Sequence, residues 1–234
     1  MNDREVSFND YVDSYKKEIE KIIRFAGQDV DFYVSLKADL ISELAGKYFG
    51  DISDLRVLDV GCGIGLVDMY LRNRFRNLYG IDVENKVIKK AGENNPSVSY
   101  LMYDGKNIPF EDNFMDITFA VNVIHHVKPE YWQNFINEMA RVTRKGGAVM
   151  IFEHNPLNPL TLKVVKSCEF DRDAVLLRKG MITRLIENSG LHKADGAYII
   201  FFPFRHRIFR IIERHIGLLP LGAQYFVVGL KPDK

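Results

Sequence analysis

A short apolar segment at residues 56–60 runs directly into Gly61-Cys62-Gly63-Ile64-Gly65, and a helical stretch follows from 66 to about 73. Glycines spaced this closely after a buried strand serve a tight turn whose backbone takes conformations closed to other residues. The helix that follows offers free N–H groups at its start. Such a turn sits at the carboxyl edge of an open α/β sheet, where ligands bind. The pattern then repeats. Residues 78–83, 98–103, 115–123 and 148–152 are apolar and strand-like, and 115–123 is continuous enough to be buried on both faces. Helical spacing fills 84–91 and 130–142, the second stopping at Gly146-Gly147. Strands alternating with helices at this spacing predict βαβ units and a parallel sheet.

The flanks differ. Residues 9–26 carry Tyr11, Tyr15, Ile19, Ile22 and Ile23 at helical spacing, and 30–46 place Phe32, Leu36, Leu40 and Leu44 on one side. After the last core strand, 178–188 reads as a helix closed by Gly190, 198–202 as a strand, 205–216 as a basic amphipathic helix and 225–230 as a closing strand. No Gly/Ser linker divides the chain. It is therefore expected to form a single domain over 1–234, with a helical cap at 1–50, a ligand-binding core at 51–155 and substrate-side elements with the closing strand at 156–234.

With 234 residues, 47% of them hydrophobic, the chain can bury a core without disulfides. Its two cysteines, Cys62 and Cys168, provide neither a disulfide framework nor a metal-ligand set, so a reducing cytoplasmic setting and no metal are expected. Lys plus Arg is 32 against 31 Asp plus Glu. That balance argues against a protein working through phosphate backbones, so no nucleic-acid partner is expected. No segment approaches the ~20 apolar residues that span a bilayer, and the polar first residues lack the form of a signal peptide.

The glycine turn departs from the dinucleotide fingerprint G-x-G-x-x-G/A. Counting from Gly61 the sixth residue is Leu66, and from Gly63 it is Asp68, which disfavours a nicotinamide dehydrogenase. Asp82 ends the next strand, where it can hold ribose hydroxyls. Asp59, just before the glycines, suits a cationic amino-acid moiety better than a pyrophosphate.

Together these segments resemble class I S-adenosylmethionine-dependent methyltransferases of the small-molecule type, close to the ubiquinone and menaquinone biosynthesis group. Residues 57–65 are similar to the first motif of that family and Gly80-Ile81-Asp82-Val83 to the second. Tyr103-Asp104-Gly105 resembles the third, residues 121–127 the fourth, and residues 141–147 the turn before the fifth strand. The resemblance spans roughly 30–153. It implies a Rossmann-like three-layer α/β sandwich with a mostly parallel seven-stranded sheet and an antiparallel last strand.

The resemblance also implies S-adenosyl-L-methionine as cofactor. Asp59, Gly61, Cys62 and Gly63 would meet its amino-acid part. Asp82 would hold the ribose and Val83 would pack on adenine. Asp104 and Gly105 would reach the adenine edge, and Asn122 would offer its backbone near the methionine end. An N-terminal aromatic, with Tyr15 chosen among Phe8, Tyr11, Tyr15 and Tyr33, would approach the sulfonium, where a cation–π contact is favourable. Lys37 is a further candidate on the same elements.

The fourth motif reads Asn122-Val123-Ile124-His125 instead of the Asn/Asp-Pro-Pro-aromatic segment of amino-methylating enzymes. A small-molecule acceptor and O-methylation are therefore expected, with sugar, lipid and quinone types open. Candidate catalytic residues are His125, His126, Glu153 and His154, at the ends of two neighbouring strands. With an extended backbone, His125 and His126 would face opposite sides. Asn155-Pro156 and Asn158-Pro159 read as turn chemistry. Residues 205–216, with four arginines, are weighted toward a helix packed on the sheet over one lying on a membrane surface. Two other function classes stand beside the first: a non-catalytic cofactor-binding partner or sensor, and an RNA or protein methyltransferase.

Overall fold

The computed structural model describes residues 29–202, 204 and 207–233. The helix predicted over 9–26, with Phe8, Tyr11 and Tyr15, lies outside the described residues, as do Arg205 and His206. Seven strands run as β1 (Arg56–Val60), β2 (Asn77–Asp82), β3 (Ser99–Met102), β4 (Met115–Val121), β5 (Thr143–His154), β6 (His192–Ile199) and β7 (Gln224–Leu230). They form one sheet in the order β3-β2-β1-β4-β5-β7-β6. Strands β1 to β5 pair in parallel, and β7 is antiparallel to both of its neighbours. The chain steps outward from β1 to β3 and then returns to lay β4 on the other side of β1. That reversal opens a crevice at the carboxyl ends of the central strands.

Helices α1 (Val30–Phe49), α2 (Asp68–Leu71), α3 (Asn85–Asn94), α4 (Trp132–Val142), α5 (Pro159–Ser167), α6 (Lys179–Asn188) and α7 (Arg207–Ile216) complete the described elements. The strand period of two divides the interior between the faces. Val149 and Ile151 of β5 join Ile136 and Met139 of α4 and Ile182 and Ile186 of α6 on one face. Ala148, Met150 and Phe152 join Ala38, Ile41 and Leu44 of α1 on the other. Two apolar layers around one sheet make the expected three-layer sandwich. Among the described residues, no helix is long and apolar enough to cross a membrane.

Several expectations need correction. α1 buries Val34, Lys37, Ala38, Ile41 and Leu44, while Leu36 and Leu40 only flank the core as partly buried residues. The buried stripe is therefore rotated toward the cavity described below. The helix after the glycine turn shrinks to Asp68–Leu71, because hydrogen-bonded turns such as Gly65 N–H to Cys62 O take the residues before it. The strand predicted over 198–202 is displaced. β6 starts at His192 and ends at Ile199, because Ile200 takes a φ of 61°. The backbone N–H groups of Phe201 and Phe202 then donate to Glu213 Oε1 of α7. The polar edge residues of β6 carry no apolar alternation to announce a strand. The helix predicted over 130–142 ends at Val142 as expected but begins at Trp132, and β5, expected over 148–152, is longer and already paired from Thr143.

Candidate active site

The glycine turn forms one wall of a cavity of about 590 Å³ above the carboxyl ends of the strands. Gly61 has φ 79°, and a Cβ there would stand 2.6 Å from both Val123 methyls, so the fourth-motif loop packs directly on its backbone. Gly63 has φ 53°, and a Cβ there would meet none of the described residues within 4 Å. It faces open cavity. Its N–H donates to Asp82 Oδ2 at 3.0 Å, and Glu84 N–H donates to Asp82 Oδ1. One carboxylate thus ties the turn to the end of β2 while still lining the cavity.

Below the turn lies a concentration of negative charge. Asp59 and Asp68 are both buried. Tyr100 Oη donates to Asp68 Oδ2 at 2.7 Å, whereas Asp68 Oδ1, beside Asp59, has no hydrogen bond drawn to it among the described residues. Burial, then the proximity of Asp68 and Asp82, pushes the Asp59 carboxyl well above the carboxylate range. Burial likewise raises Asp68 to about 7 and moves Asp82 upward. Carboxylates this crowded share protons until a cation arrives.

Val83, exposed on one side of the cavity, Tyr103 and Gly105 form an apolar slot beside Asp82. Asp104 stands apart from the cavity wall. Its carboxylate accepts the backbone N–H groups of Lys106 and Asn107 and the Asn107 amide, so it orders the loop that presents Gly105. Cys62 is buried in the turn and free. Asn122 takes φ 56°, and its N–H donates to Phe152 O across to β5. Its buried side-chain oxygen is without a hydrogen bond among the described residues.

The opposite wall carries the histidines. β4 ends at Val121, and Ile124–His126 form a 3₁₀ turn. The extended backbone that would have sent His125 and His126 to opposite sides is absent. Both rings line the cavity, with centroids 4.2 Å apart. Trp132 Nε1 donates to the Ile124 and Val127 carbonyls and holds the turn. Glu153 is fully buried beneath it and is not part of the cavity wall, contrary to expectation. Its Oε1 accepts Val123 N–H and Ile124 N–H, both at 3.0 Å, and its Oε2 lies 2.6 Å from His125 Nδ1. Three such bonds make Glu153 the anchor of the loop.

Asp171, which sequence reasoning missed, completes this half. Its Oδ1 lies 3.5 Å from His125 Nε2 and 3.4 Å from His126 Nε2. Burial acts to lower the His125 pKa, but Glu153 and Asp171 outweigh it and push it up to about 10. Burial and the charge of His125 lower both His126 and His154 to about 4, so these two rings are neutral. His154 also lines the cavity, with Gln224 Nε2 at 3.3 Å from its Nδ1. Asp171 arrives on the 3₁₀ turn Glu169–Asp171 after α5, in a stretch with no periodic pattern. The one available signal was Asn158-Pro159. Asn158 caps α5 by accepting Leu160 N–H and Thr161 N–H, and that helix leads the chain back over the cavity. The groups of His125, His126 and Asp171 lie within 4.8 Å of one another, a set of ligand type where sequence alone led to the expectation of no metal.

Tyr33 and Lys37 of α1 reach the same cavity. Lys37 is buried, and that burial lowers its pKa to about 8. On the outer surface, Phe209 of α7 packs on Phe202 and Phe204, while Ile211, Ile212, Leu218, Leu219 and Leu221 are exposed.

Residues 58–151 match the protein family described as "Methyltransferase domain". Among curated proteins, the chain is 32% identical over 149 residues to the ubiquinone biosynthesis O-methyltransferase of Rickettsia bellii, covering 58% of this chain and 61% of that one. It is 27% identical over 146 residues to the malonyl-[acyl-carrier protein] O-methyltransferase of Hamiltonella defensa, covering 62% and 55%. The chain thus spans a little over half the length of these relatives. Among solved structures, it is similar to a S-adenosylmethionine-dependent methyltransferase of Thermotoga maritima, with TM-score 0.68, 18% identity and coverage of 96% and 98%. A TehB-like counterpart from Corynebacterium glutamicum gives TM-score 0.64, 17% identity and coverage of 95% and 98%.

Proposed function

We propose that this chain, whose residues 58–151 match a methyltransferase domain, is a class I S-adenosylmethionine-dependent enzyme that methylates a hydroxyl oxygen of a small-molecule acceptor. The observation that carries the reading is the shared cavity: the glycine turn with its acid cluster on one wall, and His125, His126 and His154 on the other. We read 1–234 as one domain. The names of two relatives, a ubiquinone biosynthesis O-methyltransferase and a malonyl-[acyl-carrier protein] O-methyltransferase, support transfer to oxygen, with sugar-, lipid- and quinone-type acceptors as the classes to test. The exposed apolar residues near α7 suit the lipid and quinone types, and a peripheral membrane contact through 205–216 belongs to this proposal.

Bound in the cavity, the cofactor supplies an electrophilic methyl group on a sulfonium. Asp59 and Asp68 release their shared proton and offset the ammonium charge. Asp82 keeps lone pairs for ribose hydroxyls beyond those given to Gly63 and Glu84. Val83 covers one adenine face, Gly105 leaves room at its edge, and Asp104 acts by positioning Gly105. Asn122 turns its carbonyl toward the methionine end. Tyr33 and, outside the described residues, Tyr15 are the aromatic candidates at the sulfonium. His154 takes the acceptor's proton. With the Gln224 amide turned so that its oxygen accepts from Nδ1, the unprotonated nitrogen of His154 is Nε2. Positioning and proton removal are what an in-line methyl transfer asks of a protein.

The test is calorimetric titration with S-adenosylmethionine and S-adenosylhomocysteine, with NADH as control, on the wild type and Asp82→Ala. Binding of the first two, weakened about 100-fold in the variant through loss of charge-assisted hydrogen bonds, supports the reading. Product formation with quinol- and acyl-type hydroxyl acceptors, reduced in His154→Ala, supports the chemistry. Binding of NADH alone would overturn the cofactor assignment. Binding without turnover across the acceptor panel would favour a sensor or partner protein.

A further inference from the structure

We propose that His125, His126 and Asp171 form a site for one divalent first-row transition ion, which receives the acceptor's hydroxyl oxygen beside the methyl donor. The distances carry the first part. Asp171 Oδ1 stands 3.5 Å from His125 Nε2 and 3.4 Å from His126 Nε2. Both exceed the usual 2.7–3.2 Å of an N–H···O bond. They match the ligand-to-ligand edge of a coordination shell with bonds of ~2.1 Å, which is about 3.0 Å in an octahedron and about 3.4 Å in a tetrahedron.

An independent observation is the state of His125. Its Nε2 is buried and, among the described residues, makes no hydrogen bond, the Asp171 oxygen standing 3.5 Å away. A buried polar atom normally has a closer partner. The other nitrogen of the ring, Nδ1, lies 2.6 Å from Glu153 Oε2. A carboxylate on the far nitrogen of an imidazole holds a proton there and fixes the ring, so that an ion taking the place of the Nε2 proton meets an oriented lone pair, the arrangement found behind metal-bound histidines.

The two segments supplying the ligands are also tied together. Val175 N–H donates to His125 O at 2.9 Å, and Ala174 N–H donates to Asp171 O at 3.0 Å. The geometry is therefore built before any ion arrives. Two imidazoles and one carboxylate select zinc, iron, cobalt or manganese over magnesium and calcium, which prefer oxygen ligands. Three protein ligands leave coordination positions open, and all three residues line the cavity shared with Gly63 and Asp82.

The role of the ion rests on the methyltransferase reading, whereas the site itself does not. The ion lowers the pKa of a hydroxyl bound at an open position. The proton passes to His154 and then to water. The oxygen lone pair forms the new C–O bond as the S–C bond breaks, and the breaking pair stays on sulfur. The products are a methyl ether, a neutral thioether and one proton, so no oxidant or reductant is needed.

The site is tested with the full chain, freed of metal by a chelator and dialysed, then titrated with Co²⁺ by visible absorption and calorimetry. The expected result is one Co²⁺ per chain with ligand-field bands. Asp171→Asn and His126→Ala should each weaken binding at least tenfold, and Glu153→Gln about 10- to 100-fold through the orienting carboxylate. S-adenosylhomocysteine titration of the same variants reports whether the cofactor half still folds. If the wild type fails to bind S-adenosylhomocysteine, the cofactor reading fails while the Co²⁺ result still decides the site. A measurement on wild type alone guards against unfolded variants. Co²⁺ should broaden or shift the ring resonances of His125 and His126 and leave those of His192 and His215 sharp. Absence of Co²⁺ binding, equal binding in wild type and Asp171→Asn, or paramagnetic effects centred on other histidines would each overturn the proposal.

Discussion

His125 Nδ1 and Glu153 Oε2 lie 2.6 Å apart, although 28 residues separate them and neither side chain is more than 1% exposed. The contact ties the turn after β4 to the end of β5. The same carboxylate also receives Val123 N–H and Ile124 N–H. Burial, the largest single influence, acts to raise the Glu153 pKa, but the charge and hydrogen bond of His125, with the contributions of His154, together outweigh it and hold the carboxyl below its ordinary value. Glu153 therefore works from beneath the cavity, on the shape of the loop.

Glu153→Ala removes one member of a buried pair and leaves two backbone N–H groups unanswered. It should destabilise the chain by about 3–5 kcal/mol. Glu153→Gln retains an acceptor oxygen and should cost less while still reducing turnover. Chemical denaturation compared with initial rates separates the two effects. Equal stabilities for wild type and the alanine variant would remove Glu153 from its anchoring role.

The acid pair predicts a pH signature. The folded-state pKa of Asp68 is raised from 3.8 to about 7, chiefly by burial, and Asp59 moves in the same direction. Folding therefore favours the protonated form. That contribution is complete below the ordinary carboxylate pKa and is lost as pH rises through about 7. The cofactor-free chain should lose this stability progressively between about pH 4 and about pH 7. Cofactor binding near pH 6 should release protons, seen as a calorimetric enthalpy that changes with buffer ionisation heat. A buffer-independent enthalpy would contradict this.

Two glycines of the turn should fail differently. Gly61→Ala drives a methyl into Val123 at 2.6 Å and strains a φ of 79°. A loss of about 2–4 kcal/mol of stability is expected from overpacking and strain. Gly63→Ala meets no atom of the described residues within 4 Å, so stability should fall by only about 1 kcal/mol, from the φ of 53°. Its methyl points into open cavity, and cofactor affinity should drop at least tenfold. Thermal melts with and without S-adenosylhomocysteine distinguish the two patterns.

Lys37 is a buried cation whose pKa burial lowers from 10.5 to about 8. The folded chain therefore forgoes stability below pH 8 and regains it as pH rises toward 10.5. At about 1.4 kcal/mol per pH unit, the deficit near pH 6 is roughly 3 kcal/mol. Lys37→Met should recover most of it and raise Tm by several degrees at pH 6, with a smaller gain at pH 10. A lower Tm at pH 6 would instead assign the ammonium a stabilising partner.

The sheet and the glycine-turn wall of the cavity were legible because each rests on local signals. Ala148, Met150 and Phe152 belong to one core layer, Val149 and Ile151 to the other. A run apolar at every position is how such a strand looks in sequence. Gly61, Gly63 and Asp82 lie within one βαβ unit, so their spacing carries their geometry. The acceptor half was less legible. Asp171 reaches His126 across 45 residues without a period or motif to announce it. The 3₁₀ turn at Ile124–His126 depends on Glu153 and Trp132 arriving from elsewhere. Asp104 had the expected residue type, but Lys106 and Asn107 N–H groups, two and three positions away, claim its oxygens.

The sheet ends on two unlike margins. β3 is four residues long. β6 exposes His192 and Lys193, and its register slips between Lys193 and Asp195. A very short strand and a charged, irregular one are both poor templates for recruiting further strands. Chains crowded together at high concentration are therefore guarded against fibrous stacking at either border. Both borders disfavour strand-to-strand pairing between copies, which leaves the sheet to serve as internal scaffolding.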